Sequence, residues 1–511
     1  MDPRAWLSTA SHRHGRPAVF CGGSALSYAD IEKLAQSIAR ALSGRGAVAG
    51  DRVAALFPNC HLYLATYFAA LQSGLVLVPL NTRLAPPELR AILEHSGTKA
   101  LIGHPDLLRP LLGEATPPEP GGFITAALPD PGGGPAADEG APADMTHLYY
   151  TSGTTGQPKG VILTRANMAA HTRMTLEELR FAEKDVWLHA APMFHLADAW
   201  AIWTATAAGA AHVLLPRFDP DRACDLIDAA GVTITNLVPT MLMALLEAVE
   251  RRGRRLPSLR LVMSGGAPIA PAVVGRVVRL LGCEYVQTYG LTETSPFLTF
   301  SLLDTALRRL PEAERLRLIA RTGRAARGVS LRVVRPAGPE ILEDVPADDA
   351  AVGEVVARGE TITPGYWRDG EATRAAFRGG WFHTGDLGTI DGYGFLNLVD
   401  RVKDVIITGG ETVYSTEVEH ALHEHPAVRE AAVYGVPDET WGEAVRAAVV
   451  PVAPASVSAD ELVAFCRERI ARYKCPRVVD LLEALPRTGS GKIDKKALRE
   501  PFWRAQQRRI N

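Results

Sequence analysis

The residues best suited to chemistry stand in one stretch, Tyr149-Tyr150-Thr151-Ser152-Gly153-Thr154-Thr155-Gly156-Gln157-Pro158-Lys159-Gly160-Val161. Hydroxyls on Thr151, Ser152, Thr154 and Thr155 can donate to phosphate oxygens, and Lys159 adds a compact positive charge. Gly153, Gly156 and Gly160 let backbone N–H groups approach an anion closely. The spacing is not that of G-x-x-x-x-G-K-[ST]. Gln157 and Pro158 separate Gly156 from Lys159, and Gly160 follows the lysine where a metal-binding hydroxyl should stand. The run reads as a phosphate loop of another kind. A solvated Gly/Thr turn is the bland alternative, and composition by itself leaves it standing.

Other stretches carry weaker signals. Ser264-Gly265-Gly266-Ala267-Pro268 follows a strand pattern, and its glycines permit close backbone approach to a flat ligand. A plain strand-to-helix turn explains the same residues. Gln287-Thr288-Tyr289-Gly290-Leu291-Thr292-Glu293 offers a stacking face at Tyr289 and a phosphate-bonding hydroxyl at Thr292. Its Glu293 is a hard oxygen ligand of the kind Mg²⁺ takes beside ATP phosphates. An acidic first helical turn would look alike. His195, beside Met193 and Phe194 in an apolar run, reads by itself as a core histidine. Lys492, in Thr488-Gly489-Ser490-Gly491-Lys492, reads by itself as part of a solvated basic turn.

Taken whole, the 149–161 string closely resembles the signature loop of the adenylate-forming superfamily: acyl-CoA synthetases, carrier-protein adenylation domains and beetle luciferases. Further matches run in family order as far as Lys492, so the resemblance covers most of the chain. It implies an α/β fold with a large N-terminal domain of α/β subdomains, residues 1–400, and a small mobile α+β C-terminal domain, residues 401–511. It implies that Thr151, Ser152, Gly153, Thr154, Thr155, Gly156 and Lys159 hold ATP phosphates. Gly265, Gly266 and Ala267 would pack on adenine beside Tyr289 and Gly290, with Thr292 and Glu293 at the reacting phosphate and Mg²⁺ on Glu293. Asp386, in Trp381-Phe382-His383-Thr384-Gly385-Asp386, would accept both ribose hydroxyls, since a carboxylate accepts two donors. Arg401 would bind ribose and phosphate, Lys403 would be the hinge, and Lys492 the catalytic lysine. His195 would gate the site between carboxylate and thiol entry, with Met193 and Phe194 in the acyl pocket and Trp200 and Trp203 in the core. Gly409, Gly410 and Glu411 would border the pantetheine tunnel. Trp441, Tyr473, Lys474 and Arg477 match positions that many acyl-CoA ligases place around the CoA nucleotide, although Trp441 reads equally well as core. The chain departs from the family at Thr412 and Ser415, where Asn and Pro are usual, which bears on the tunnel rim. It also departs at Thr322-Gly323-Arg324-Ala325-Ala326-Arg327-Gly328, where prolines are usual.

The elements that must position these residues are legible in outline. The chain has 511 residues, 47% hydrophobic and 22% charged, enough for a large core, and its net charge of −2 gives no reason to expect nucleic acid as a partner. Helical and strand periods alternate along residues 27–103, which predicts a parallel sheet with helices on its faces and a purely scaffolding role. Residues 112–144, rich in Pro, Gly and acid, are expected to be a surface excursion that buries little. Six scattered cysteines without a CxxC pair point to reduced thiols in the cytoplasm. The N-terminus lacks the apolar core of a signal peptide. The most membrane-like run, residues 197–216, carries Asp198 and His212 and is expected to be a core helix and strand rather than a transmembrane segment. A homodimer is compatible with these motifs and demanded by none.

The resemblance implies an acyl-CoA ligase for a fatty or aromatic acid, with ATP, Mg²⁺ and CoA. The carboxylate attacks the α-phosphate to give acyl-adenylate and pyrophosphate, Lys492 bridging the reacting groups. The C-terminal domain then rotates and the CoA thiol attacks the adenylate. No catalytic cysteine is needed. Two alternatives stay open: an adenylation enzyme that loads a carrier protein, and a ligase that has kept only the thioester half-reaction. A non-catalytic binding module should have lost Lys492 or Glu293, and both are present.

Overall fold

Ser27 begins the first long helix, Tyr28–Gly44, with a reciprocal cap: its hydroxyl accepts from the Asp30 N–H while Asp30 reaches back to the Ser27 N–H. Ile31, Ala35, Ile38 and Leu42 recur on one face and are buried. The next helix, His61–Gln72, is apolar all round and lies wholly inside, buried from Leu62 through Leu71. These features belong to a computed structural model that describes residues 2–13, 17–112, 119, 122–128, 142–151, 159–267, 269–336, 342–453, 457–488 and 493–510.

Packing divides the chain into two compact units. One comprises Met1–Arg332, Val356–His383 and Gly392–Leu396; the other comprises Val333–Val355, Thr384–Asp391 and Asn397–Asn511. The division is not a single cut, because strands join the unit they pack against rather than the one nearest in sequence.

The first unit holds two sheets among its described residues. In one, the strands run in the order Ile124–Ala127, Thr98–Gly103, Arg52–Leu56, Val76–Pro79, Met145–Thr151, Lys159–Thr164. In the other the order is Arg324–Ala325, Phe297–Phe300, Glu284–Gly290, Leu261–Gly265, Ile234–Asn236, Val186–His189, Ala211–Leu214, Pro17–Cys21, Ser24–Ser27. The central pairs are parallel, as the helix–strand alternation predicts. The edges are antiparallel, because short connections such as Gly22-Gly23 allow a hairpin and are far too short for a crossover.

The expectation that residues 112–144 bury little needs correcting. Phe123, Ile124 and Thr125 are buried, and Ile124–Ala127 adds an antiparallel edge strand to Thr98–Gly103. A short β-branched run inside a Pro/Gly-rich segment found an open sheet edge. Residues 113–118, 120, 121 and 129–141 lie outside the described residues. The apolar run at 197–216 forms the buried helix Leu196–Ala208 and the strand Ala211–Leu214. Among the described residues no helix is long and apolar enough to cross a membrane.

In the second unit, Glu411–Val413, Ile406–Thr408, Gly442–Pro451 and Val428–Asp438 form an antiparallel sheet, and Val478–Leu481 joins it in parallel beside Gly442–Pro451. Helices Ser415–His423 and Ala459–Arg467 cover one face through Val418, Leu422, Leu462 and Cys466. The helix Lys495–Ile510 lies against the other through Leu498 and Phe502.

Candidate active site

Thr151 and Lys159 stand opposite each other at the open end of an antiparallel pair, so the loop between them springs from a hairpin. Ser152, Gly153, Thr154, Thr155 and Gly156 lie outside the described residues. The turn carrying Tyr366 adds to the free edge of that hairpin: the Trp367 N–H donates to the Gly160 carbonyl (2.8 Å) and the Ile162 N–H to the Gly365 carbonyl (3.1 Å). This sets the Tyr366 ring 5.3 Å from Lys159 Nζ, a cation–π contact. The Tyr366 hydroxyl donates to Glu293 Oε1 at 3.0 Å. Burial, together with the Glu293 charge, pushes that hydroxyl far above its usual range, so it stays protonated and remains a donor. One tyrosine therefore bridges the phosphate-loop lysine and the candidate metal carboxylate. Beneath it, Arg52 and Arg368 each place a guanidinium 5.2 Å from the Trp367 ring. The sequence marks residues 364–367 only as a turn; their structural neighbours make Tyr366 part of the site.

The candidate adenine segment is built by sheet register. Gly265 pairs with Thr288, and a Cβ on Gly265 would sit 2.4 Å from Thr288 Oγ1. Thr288 donates to the Ser264 carbonyl at 3.1 Å, and Gln287 Nε2 donates to the Ala267 carbonyl at 3.0 Å. Neighbouring side chains thus hold Gly265, Gly266 and Ala267 against the strand that carries Tyr289. Gly290 has no room for a side chain, since its Cβ would meet the Pro296 carbonyl oxygen. Thr292 and Glu293 follow in a short 3-10 turn whose Glu293 carbonyl accepts from the Thr363 N–H at 2.7 Å.

His195 caps the helix Leu196–Ala208, its Nδ1 accepting from the Ala197 N–H at 3.3 Å. Met193 and Phe194 just before it are buried. Sequence reasoning missed what holds this turn. Asn59 Nδ2 donates to the carbonyls of His189 (3.1 Å) and Ala191 (2.8 Å), and Asn59 Oδ1 accepts from the Met193 N–H (2.7 Å). Tyr67 donates to the Met193 carbonyl at 2.7 Å, and its oxygen lies 3.1 Å from the Tyr149 hydroxyl. Because the single Tyr67 proton goes to Met193, Tyr149 must donate to Tyr67. A directed chain thus runs from the strand that delivers the phosphate loop to the turn that carries His195. On the other side, His189 Nδ1 lies 2.6 Å from Asp198 Oδ2 and its Nε2 2.9 Å from His212 Nδ1, all fully buried. A signal existed: Asn59 and the Tyr67 hydroxyl are polar groups between a buried strand and an apolar helix, and such groups require partners.

In the second unit, Arg401 Nε lies 3.1 Å from Asp386 Oδ1, so the two candidate ribose residues are neighbours. Asp386 is 4% exposed. Asp400 accepts from the backbone N–H groups of Arg401 and Ser415 and from the Ser415 hydroxyl (3.1 Å), which in turn accepts from Lys495 Nζ (2.6 Å). Where the family usually has Pro, Ser415 supplies both a backbone donor and a hydroxyl. The Lys403 carbonyl accepts from Arg499 at 3.1 Å. Trp441 is 44% exposed, which removes the core reading. Its ring lies over Gly409, where a Cβ would be 2.6 Å away, and 4.9 Å from the Arg477 guanidinium. Glu411 and Gly410 continue that rim. Tyr473 is exposed beside Lys474, whose Nζ is paired with Glu417 at 2.6 Å. Lys492 lies outside the described residues.

Among the described residues no three His, Cys, Asp or Glu side chains gather as a metal site. A metal at Glu293 would take most of its ligands from nucleotide phosphates, which fits the single hard carboxylate and the Thr292 hydroxyl there.

The family model "AMP-binding enzyme" matches residues 7–367, and "AMP-binding enzyme C-terminal domain" matches residues 417–492. The chain is 39% identical over 489 residues to a feruloyl-CoA synthase of Amycolatopsis sp, covering 95% of this chain and 96% of that one. It is 37% identical to a long-chain-fatty-acid–CoA ligase of Mycobacterium tuberculosis, covering 93% of each. The solved o-succinylbenzoate CoA synthetase of Bacillus subtilis, in complex with its acyl-adenylate intermediate, superposes with a TM-score of 0.81 at 29% identity, covering 96% of this chain and 97% of that one. With the phosphate-loop hairpin, the acidic turn and the small second unit in family order, the chain belongs to the AMP-binding enzymes, the adenylate-forming superfamily of acyl-CoA synthetases.

Proposed function

We propose that this AMP-forming acid–thiol ligase activates a fatty or aromatic carboxylic acid and delivers the acyl group to CoA. The observation that carries the reading is the Lys159–Tyr366–Glu293 bridge, which sets a phosphate-binding cation beside a carboxylate fit for Mg²⁺. Bound there, Mg²⁺ would neutralise phosphate charge. Tyr366 orients the Glu293 carboxylate, and Lys159 stays close to the phosphates. The acid's carboxylate oxygen attacks the α-phosphorus, the bond to pyrophosphate breaks, and acyl-adenylate forms. Asp386 and Arg401 hold ribose. Lys492 bridges carboxylate and α-phosphate while negative charge builds. Residues 401–511 then turn about Lys403, and the CoA thiol, guided by the Gly409–Trp441 rim, attacks the adenylate carbonyl and expels AMP. CoA is preferred over a carrier protein because Trp441 presents an open ring flanked by Arg477, suited to a nucleotide. Cytoplasm, where ATP and reduced CoA coexist, is the compartment in this reading, and all six cysteines are free thiols. One chain completes the cycle, so a homodimer is not required.

The test is pyrophosphate exchange followed by CoA-dependent thioester formation over a panel of acids. Lys492→Ala should abolish adenylate formation yet spare thioester formation from supplied acyl-adenylate, because the charge is needed only while pyrophosphate leaves. Equal loss in both half-reactions would remove Lys492 from this role.

A further inference from the structure

Behind the acyl turn lies a closed cavity of about 20 Å³. Its wall includes Tyr149, Leu196 and Ser295, each one or two residues from Thr151, His195 or Glu293, so the same three segments that carry the site also enclose it. The indoles of Trp200 and Trp203, expected in the core and buried there, form another wall. Two imidazoles complete the lining: His147, from the strand that delivers the phosphate loop, and His171, from the helix Arg165–Glu178.

Both imidazoles are almost fully buried, and neither Nε2 atom has a hydrogen-bond partner among the described residues. Orphaned groups of this kind are costly in a packed interior. Their protonation can be worked out. Thr146 donates its one hydroxyl proton to the Leu163 carbonyl at 3.2 Å, and His147 Nδ1 lies 2.9 Å from the same oxygen. His147 Nδ1 must therefore be the donor, which leaves its Nε2 as a bare acceptor. Burial pushes both imidazoles down to about 3, so they are neutral at physiological pH. The hydroxyl protons of the other polar lining groups are also committed. Ser295 donates to the Thr361 carbonyl at 2.7 Å, and Tyr149 donates to Tyr67. The lining therefore offers lone pairs, with no cation, to whatever enters.

We propose that this cavity recognises the end of the acyl group remote from the carboxylate, and that the acids this enzyme takes carry a hydroxyl there, a phenol or a primary alcohol. The inference rests on the acyl-CoA ligase reading and refines its substrate class. A volume of about 20 Å³ holds one water or one hydroxyl oxygen and no ring. A hydroxyl donates to His147 Nε2 and has lone pairs left for His171, whereas a methyl group leaves both nitrogens unsatisfied. A second carboxylate is excluded, because it would be an anion facing acceptors in a dry site. Trp200 and Trp203 supply the apolar walls along which the body of such an acid packs.

The test compares matched acids that differ only in the terminal group: para-hydroxycinnamate with cinnamate, and an ω-hydroxy medium-chain fatty acid with its unsubstituted parent. For wild type, kcat/KM in acyl-CoA formation should favour the hydroxylated member of at least one pair by about tenfold or more, as sites built to bond a substrate hydroxyl do. In His147→Phe the ratio should fall to about one, and His147→Gln, which keeps a polar end, should restore part of it. A wild-type ratio near one in both pairs would mean that the cavity holds only water and would overturn the inference, as would a ratio that survives both His147→Phe and His171→Phe. If a histidine variant does not fold, the wild-type ratios alone decide. Should no acid of the panel support pyrophosphate exchange or thioester formation, the ligase reading itself falls and takes the inference with it. Activity without hydroxyl preference overturns the inference alone.

Discussion

Tyr67→Phe tests whether the acyl turn is tied to the phosphate-loop strand through the chain Tyr149–Tyr67–Met193. The substitution keeps the ring and its packing and removes one oxygen. That oxygen donates to the Met193 carbonyl at 2.7 Å and accepts from Tyr149 at 3.1 Å, and all three residues are buried. Two groups are orphaned, each at about 1–3 kcal/mol, so the variant should lose about 3–4 kcal/mol. Tyr149→Phe removes a donor and leaves only a spare lone pair on Tyr67, costing about 1 kcal/mol. In the double variant the Tyr149 orphan no longer exists. Its cost should therefore undershoot the sum of the single variants by about 1–2 kcal/mol. At about 1–2 °C per kcal/mol for a unit of this size, melting midpoints should fall by about 4–6 °C in Tyr67→Phe, about 1–2 °C in Tyr149→Phe and about 3–4 °C in the double variant. The freed turn should also lower kcat/KM for the acid about tenfold in Tyr67→Phe, while KM for MgATP moves less than about twofold. Thermal melts at one scan rate and steady-state kinetics on the same preparations read both effects. Strict additivity of the two substitutions would refute the directed chain, and equal changes in the acid and ATP constants would refute its link to the acyl turn.

The remaining predictions concern the nucleotide side and the pivot. Tyr366→Phe keeps the ring beside Lys159 but removes a hydrogen bond to an ionised carboxylate worth about 1.5–3 kcal/mol, so kcat/KM for MgATP should drop about 10–100-fold with acid preference intact; unchanged MgATP kinetics would separate Tyr366 from Glu293 function. Asp386→Ala should weaken ATP binding more than it alters acid selectivity, and direct ATP titration beside an acid panel checks this; normal ATP affinity with altered acid choice contradicts the ribose placement. Lys403→Pro fixes φ near about −65° and removes an N–H. Pyrophosphate exchange should persist while thioester formation from supplied acyl-adenylate collapses, and unchanged thioester formation would place the pivot elsewhere.

The chemical inventory was written locally in the chain. Glycines, hydroxyls and a lysine at 151–160, the purine-facing Tyr289 with Glu293 four residues on, and Lys492 on a Gly/Ser loop are short-range patterns, because phosphate binding is done by consecutive backbone and side-chain groups. Periodicity likewise announced the helices from 28 and 61, since each buries a face that repeats every turn. What only the tertiary structure decided are contacts between segments far apart in sequence. Tyr366 reaches Glu293 across 73 positions, and Asn59 reaches Met193 across 134. No local pattern encodes such pairs; they arise because a turn docks on a sheet edge and a polar side chain at a strand end must find partners inside. The same reason explains why residues 27–103 looked like scaffold alone. A buried amide or hydroxyl shows its job only when the groups it satisfies are in place, and for Asn59 and Tyr67 those groups belong to the turn that carries His195.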